Sequence, residues 1–285
     1  MRQAAVEAAF RAACADELAA LKPGNVHVHA GGHGAVVDDF LRSAEAAAPA
    51  LCRAGARLGE RVLEAVSATQ AAVGWNTNLG IVLLCAPLAM AAETAGSDLR
   101  AALQHVLRSA DLADADAVFR GITLAAPGGL GSAPSHDVRQ PATVLLTVAM
   151  AEAAHRDRIA WAWTNGFDDV FEMGAASFAR ALDRWRDPVW VTLSVYLRFL
   201  AAFPDSHVQR IHGAAAAERT RRKAVSFERD LQYSENPALL LPDLLAWDAA
   251  LKAEGVNPGT SADLTVATVF VQRLQDVLRD SGNRC

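Results

Sequence analysis

Reactive side chains are unevenly placed along this sequence. Six of its eight histidines, His27, His29, His33, His136, His207 and His212, fall in three polar stretches. The richest runs from Lys22 to Phe40, KPGNVHVHAGGHGAVVDDF, with one lysine, three histidines and two aspartates among glycines and a proline. Ordering so long a glycine-punctuated segment costs conformational entropy, so in an otherwise apolar chain it reads as one wall of an active site. Four more interruptions follow: GWNTNLG (74–80), APGGLGSAPSHDVRQP (126–141), PDSHVQRIHG (204–213) and GVNPGTSADL (255–264). Turn chemistry accounts for any one of them, since Asn-Pro-Gly and Pro-Gly-Gly are turn formers. Their shared content of His, Asp, Asn and Arg points further, to five loops that serve one site.

Each loop suggests a task. Lys22 is a point charge suited to phosphate, Gly24 beside it allows close backbone approach, and Asn25 joins them as a candidate binding residue. Lys22 reads equally as a cation at a helix C-terminus. Asn76, Thr77 and Asn78 precede an apolar helix, whose first N–H groups favour an anion, and plain capping explains the same residues. Gly128, Gly129 and Gly131 resemble a phosphate-cradling loop without the lysine of a P-loop. Arg210 and His212 can hold phosphate near Asp205, and Asp205 can hold magnesium or orient Arg210. Thr260, Ser261 and Asp263 open the last helix, where Asp263 is either a site carboxylate or a favourable first-turn charge. His33 joins the candidates as the histidine of the glycine-rich part of the first loop. No zinc pattern, GxSxG, HExxH or dinucleotide fingerprint is present. Magnesium, with oxygen ligands from Asp205 and Asp263, is the metal these carboxylates suit.

The elements that must position these groups read as helices throughout. Alanine-rich segments with helical spacing cover Arg2–Leu21, a stretch capped by Asp38 or Asp39 that Pro49 kinks or ends, 55–69 and 81–93. Others follow at 98–107, 111–124, 142–154, 157–165, 168–186, 188–203, the basic segment after Gly213, 237–253, and from 265 to about Arg279. No period-two strand is convincing, and VTLSVYLRFL (191–200) favours helix by its length and flanks. The expected fold is all-α, one domain over 1–285.

Composition narrows the function. The chain has 285 residues, 52% hydrophobic and 21% charged, enough for a large core. A net charge of -5 leaves no basic footprint for nucleic acid. Cys14, Cys52, Cys85 and Cys285 show no CxxC spacing and read as free thiols. With no signal-peptide pattern and no apolar run long enough for a bilayer, the expected location is the cytoplasm, without membrane contact. Alanine-rich helical faces suggest a homodimer.

Taken in order, KPGNVH, the glycine-histidine loop before Asp39-Phe40, the Asn76-Thr77 loop, Asp205-Ser206-His207 ending in Arg210-x-His212-Gly213, and NPGTSADL resemble the triphosphoribosyl-dephospho-CoA synthase family. The resemblance runs from about Lys22 to Leu274. It implies an all-helical transferase in which a ribose hydroxyl of dephospho-CoA attacks the anomeric carbon of ATP and adenine leaves. It further implies that Lys22, Asn76, Thr77, Arg210 and Asp263 belong to the nucleotide or phosphate site, that Asp39, Asp205 and Asp263 are the acid/base or magnesium carboxylates, and that ATP and dephospho-CoA or a related acceptor are the partners. The loop GGHGAVVDDF, Asn78 in place of a histidine, and Ile211-His212 in place of a lysine-containing pair depart from the citrate-type members. They look closer to the stand-alone branch of methylotrophs and archaea, associated with C1-carrier cofactors. That leaves phosphoryl or other ATP-dependent transfer, and non-catalytic nucleotide binding, as alternatives.

Overall fold

Alanine loses no side-chain freedom in a helix, and its small side chain lets neighbouring helices approach closely. A sequence this rich in alanine and leucine, with aspartates ahead of its apolar stretches, therefore folds as capped helices. The computed structural model describes residues 2–30, 36–133 and 135–282. Among these residues there are fourteen α-helices and no strand, the all-α architecture the sequence predicts. Asp98, Asp111, Asp157, Asp187 and Asp205 each accept a backbone N–H at the start of the helix that follows. Such a cap is worth about 1 kcal/mol.

The chain divides into two compact units, and each draws on distant parts of the sequence. The first comprises Met1–Ala13, Asp39–Asp168 and Phe270–Cys285, the second Cys14–Asp38 and Asp169–Val269. Two helices, α1 (Arg2–Ala19) and α14 (Gly259–Gly282), contribute to both.

The first unit holds α2 (Val37–Leu51), α3 (Leu58–Val73), α4 (Leu79–Thr94), α5 (Leu99–Ser109), α6 (Leu112–Ala125), α7 (Leu146–Ala153) and α8 (Arg158–Asn165). Its core is α4, in which every residue from Leu79 to Ala89 is buried. A helix apolar on all sides is stable only when surrounded, so α4 becomes the hub. Phe10 meets Phe270 edge-on at 5.7 Å in the same unit. The buried Arg61 guanidinium is held by the carbonyls of Leu51 (3.3 Å) and Ala56 (3.0 Å) and by Glu93. Three sequence expectations change here. Pro49 lies inside α2 near its end and does not stop it. Asp38 and Asp39 fall in the first turn of α2, which already begins at Val37. The helix α1 ends at Ala19, before Pro23-Gly24.

The second unit contains a π-helical turn (Asp169–Gly174), α9 (Ala175–Trp185), α10 (Pro188–Ala202), α11 (Ser206–His212), α12 (Ala214–Tyr233), a short 3-10 turn (Pro237–Leu240) and α13 (Leu241–Ala253). The VTLSVYLRFL segment is part of α10 and forms its centre, with Leu193, Tyr196, Leu197 and Leu200 buried against α12 and α13. Phe227 of α12 stacks on Trp247 of α13 with ring centroids 5.0 Å apart. Among the described residues no single helix is long and apolar enough to cross a membrane. Cys14, Cys52 and Cys85 are buried and form no disulfide, and burial pushes the Cys52 thiol up to about 12.

Close helix approach depends on Gly59 at the start of α3. A Cβ there would lie 2.7 Å from Asp114 Cα and 2.8 Å from Ala117 Cβ of α6. Gly59 also donates its N–H to Asp114 Oδ1 at 2.9 Å. Gly59→Ala is expected to lose about 1–3 kcal/mol of stability by forcing α3 and α6 apart, read as a lower urea midpoint with an unchanged slope.

Candidate functional site

The short seven-residue α11 and the long α14 both begin at the same carboxylate. Asp205 is fully buried. Its Oδ1 accepts the backbone N–H groups of His207 (2.9 Å) and Val208 (3.1 Å), capping α11. Its Oδ2 accepts both the N–H and the hydroxyl of Ser261, each at 2.8 Å, in the first turn of α14. Thr260 Oγ1 accepts the His207 N–H as well, at 3.2 Å. The DSH loop and the TSAD segment are thus locked together.

The KPG loop meets the same region. Gly24 has φ +82°, and a Cβ on it would lie 2.9 Å from both Pro258 Cδ and the Val256 carbonyl. Only glycine meets both demands. Asn25 Nδ2 donates to Asn257 Oδ1 at 2.7 Å, and the buried Tyr196 hydroxyl donates to the Pro23 carbonyl at 2.8 Å. His212 Nε2 lies 2.9 Å from the Gly255 carbonyl. Three of the five polar loops therefore assemble in the second unit around the start of α14.

Beneath this junction lies a layer of buried charge. Lys22 is fully buried, and its ammonium meets Glu17 (2.8 Å), Asn25 Oδ1 (3.1 Å) and the Val26 carbonyl. Those three acceptors engage all three of its N–H bonds. Burial lowers the Lys22 pKa and raises that of Glu17, and their mutual attraction opposes both shifts. The expected phosphate contact of Lys22 thus gives way in this structure to a strut between α1 and its own loop.

Asp248 and Lys252 on α13 complete the layer. Asp248 accepts the Gly24 N–H at 2.8 Å and faces His27 Nε2 at 3.2 Å, while its other oxygen takes Lys252 Nζ at 2.9 Å. Lys252 also donates to the Ala30 carbonyl at 3.0 Å. Burial pushes the Asp248 carboxyl up, but the bonds from His27, Lys252 and Gly24 outweigh it and hold the group below its ordinary value. His27 Nδ1 accepts the N–H groups of His29 and Ala30, both at 3.2 Å. The ring proton therefore sits on Nε2 and points to Asp248. Burial lowers the His27 pKa and the nearby Lys252 adds to the fall, Asp248 opposing it. Asp248 and Lys252 were not among the expected site residues. Their spacing of four on a predicted helix resembles an ordinary surface pair, and only the fold turns them inward.

The other predicted residues divide by unit. Arg210 and Asp263 are half-buried, and His212 is exposed, near the assembled loops. In the first unit Thr77 donates its hydroxyl to Ser43 Oγ, and Ser43 donates to the Asp39 carbonyl, both at 2.6 Å. Asn76 Oδ1 accepts the Leu79 N–H at 3.0 Å. The half-buried Asp39 carboxylate lies 3.8 Å from Arg42. The Gly128–Gly131 loop also belongs to this unit. His33 lies outside the described residues.

Of the two expected magnesium ligands, Asp205 does not fit. All four hydrogen bonds accepted by Asp205 come from N–H or O–H donors, and a cation there would have to displace two helix caps. Among the described residues no three His, Cys, Asp or Glu side chains gather as a metal site. Asp205 is a structural carboxylate in this fold, with both oxygens engaged, and Ser261 is occupied in holding it.

These contacts set three expected outcomes. Asp205→Asn leaves one acceptor oxygen where two served four donors, so a loss of about 2–4 kcal/mol is expected by urea denaturation. Gly24→Ala is expected to lose about 2–4 kcal/mol, from positive φ and overpacking together. The folded pKa of His27 lies below its unfolded value of about 6.5, so its contribution to stability is complete above that pH and declines as the pH falls through it. Asp248 acts in the same sense in the carboxylate range. The urea midpoint should fall between about pH 7 and pH 5, and His27→Gln should flatten that part of the profile.

The comparisons with known proteins bear on what this assembly serves. A solved structure from Archaeoglobus fulgidus, provisionally described as a triphosphoribosyl-dephospho-CoA synthase, superposes with a TM-score of 0.62 at 24% identity. The match covers 81% of this chain and 97% of the archaeal one, and it establishes a shared fold. No curated protein sequence matches. The CitG family pattern, described as ATP:dephospho-CoA triphosphoribosyl transferase, matches residues 3–281. Spanning both units and every loop described above, that match makes this chain a member of the CitG family of transferases.

Proposed function

We propose that the chain transfers the triphosphoribosyl group of ATP to dephospho-CoA. The observation that carries this reading is the family match over residues 3–281, which includes the interlocked KPGN, DSH and NPGTSAD segments. In the reaction the bond between adenine and the ATP ribose breaks. A bond forms between the anomeric carbon and a ribose hydroxyl of dephospho-CoA. The hydroxyl proton passes to a base, and the adenine nitrogen released from the sugar takes up one proton in exchange, so that no net proton is gained or lost. The transition state is oxocarbenium-like, so a carboxylate near the sugar serves both as proton acceptor and as counter-charge.

Of the three candidate carboxylates, Asp205 is saturated within the fold. Asp263, half-buried two residues beyond Ser261 on α14, is the leading base in this reading, with Asp39 the candidate from the first unit. Arg210, at the C-terminal turn of α11, supplies positive charge for the nucleotide, with His212 beside it held by the Gly255 carbonyl. Magnesium enters only as the counter-ion that ATP carries.

Purified protein given ATP, magnesium and dephospho-CoA is expected to release free adenine in step with acceptor consumed. ADP or AMP as product would replace the reading with transfer at phosphorus, and ATP binding without turnover would replace it with a binding role. Asp263→Asn should lower kcat by roughly 10²-fold or more while the Kd for ATP stays unchanged. A variant that retains turnover would remove Asp263 as the base.

A further inference from the structure

Helix α4 begins without a side-chain cap from its own N-cap residue, Asn78, and has no acidic residue in its first turn. Four N–H groups at a helix start lack intrahelical partners. Here Asn76 Oδ1 meets that of Leu79 alone, at 3.0 Å. Asn78 is only 5% exposed, yet among the described residues its amide Nδ2 has no acceptor. A buried NH2 group left unanswered is destabilising and uncommon. The adjacent hydroxyl offers no remedy, because Thr77 and Ser43 form a closed relay to the Asp39 carbonyl. The result, among the described residues, is a corner of donors without an acceptor, at the positive end of a sixteen-residue helix buried over most of its length.

An oxygen atom carrying negative charge would satisfy both the Asn78 amide and the helix terminus. We propose that Asn78 and the first turn of α4 form an oxyanion pocket for a phosphoryl oxygen of the nucleotide substrate. The assignment rests on the nucleotide-transfer reading and deepens it. It moves the donor from Asn76 and Thr77, whose cap oxygen and hydroxyl are engaged within the fold, to the neighbouring Asn78. The occupant is a polyphosphate rather than a neutral carbonyl because the first turn of α4 carries no acidic residue of its own and the helix dipole rewards charge.

The test uses inorganic tripolyphosphate and ATP, titrated calorimetrically into the wild-type protein and into Asn78→Leu and Asn78→Asp, with melting temperatures recorded. Wild-type protein should bind tripolyphosphate. Asn78→Leu should bind it at least tenfold more weakly while melting at or above the wild-type temperature, because an apolar side chain replaces an unpaired amide. Asn78→Asp should bind it more weakly still, through repulsion, and its near-identical shape keeps the question open to measurement where the leucine variant does not fold. Tripolyphosphate affinity within twofold of wild type in a folded variant would overturn the pocket, as would failure of the wild-type protein to bind either ligand. Adenine release, assayed on the same samples, reports separately on the transfer reaction. Its absence together with Asn78-dependent tripolyphosphate binding would sink the transfer reading and leave the pocket standing.

Discussion

Asp205 holds two helices by their N-termini at once, and the order of the surrounding loops follows from that arrangement. A buried carboxylate needs several donors to remain stable away from water. Here α11 supplies two backbone N–H groups and Ser261 supplies an N–H and a hydroxyl. The first turn of α14 is therefore fixed against α11. That in turn sets where Arg210 and His212 emerge from one helix and Asp263 from the other. Three side chains suited to a nucleotide thus inherit their relative positions from one that is not available to it.

The KPG loop is joined to this frame by shape and by charge. Gly24 fits against Val256 and Pro258 because it lacks a Cβ and adopts positive φ. Lys22, Glu17, His27, Asp248 and Lys252 then form a buried layer in which each formal charge has an opposite partner. Pairs of this kind add little net stability, since desolvation offsets most of the attraction, but removing one member strands the other. Their value here is positional. They admit one register of the loop against α13, and a shifted register would leave a charge buried alone. The neutral His27 tautomer belongs to the same logic, since both backbone donors on Nδ1 exclude a second ring proton.

The first unit solves a different problem. Its hub, α4, is apolar on all sides and so contributes hydrophobic burial rather than polar contacts. Its polar contacts lie at its ends: Glu93 takes Arg61 near the C-terminus, and Asn76, Thr77 and Asn78 lie at the N-terminus. Two of these answer needs of the fold, and the third is buried with its amide unanswered. A rigid, fully packed helix can hold such an unsatisfied group in place, which a mobile loop could not.

The sequence by itself determined the helical architecture, since alanine and leucine at helical spacing with aspartate caps leave no competing pattern. It also marked the right motifs in the right order, and with them the family. Pro-Gly, Asn-Pro-Gly and Asp-Ser-His carry strong local signals because turn and cap geometry depend on nearest neighbours in the chain. The roles within those motifs were decided by tertiary structure. Lys22 and Asp205 look like ligands in one dimension because charge beside glycine or histidine suits phosphate or metal. In three dimensions their partners come from α1, α11 and α14, and burial turns them into struts. Asp248 and Lys252 were invisible for the converse reason: an acid and a base four residues apart look solvated until a loop more than two hundred residues away packs over them.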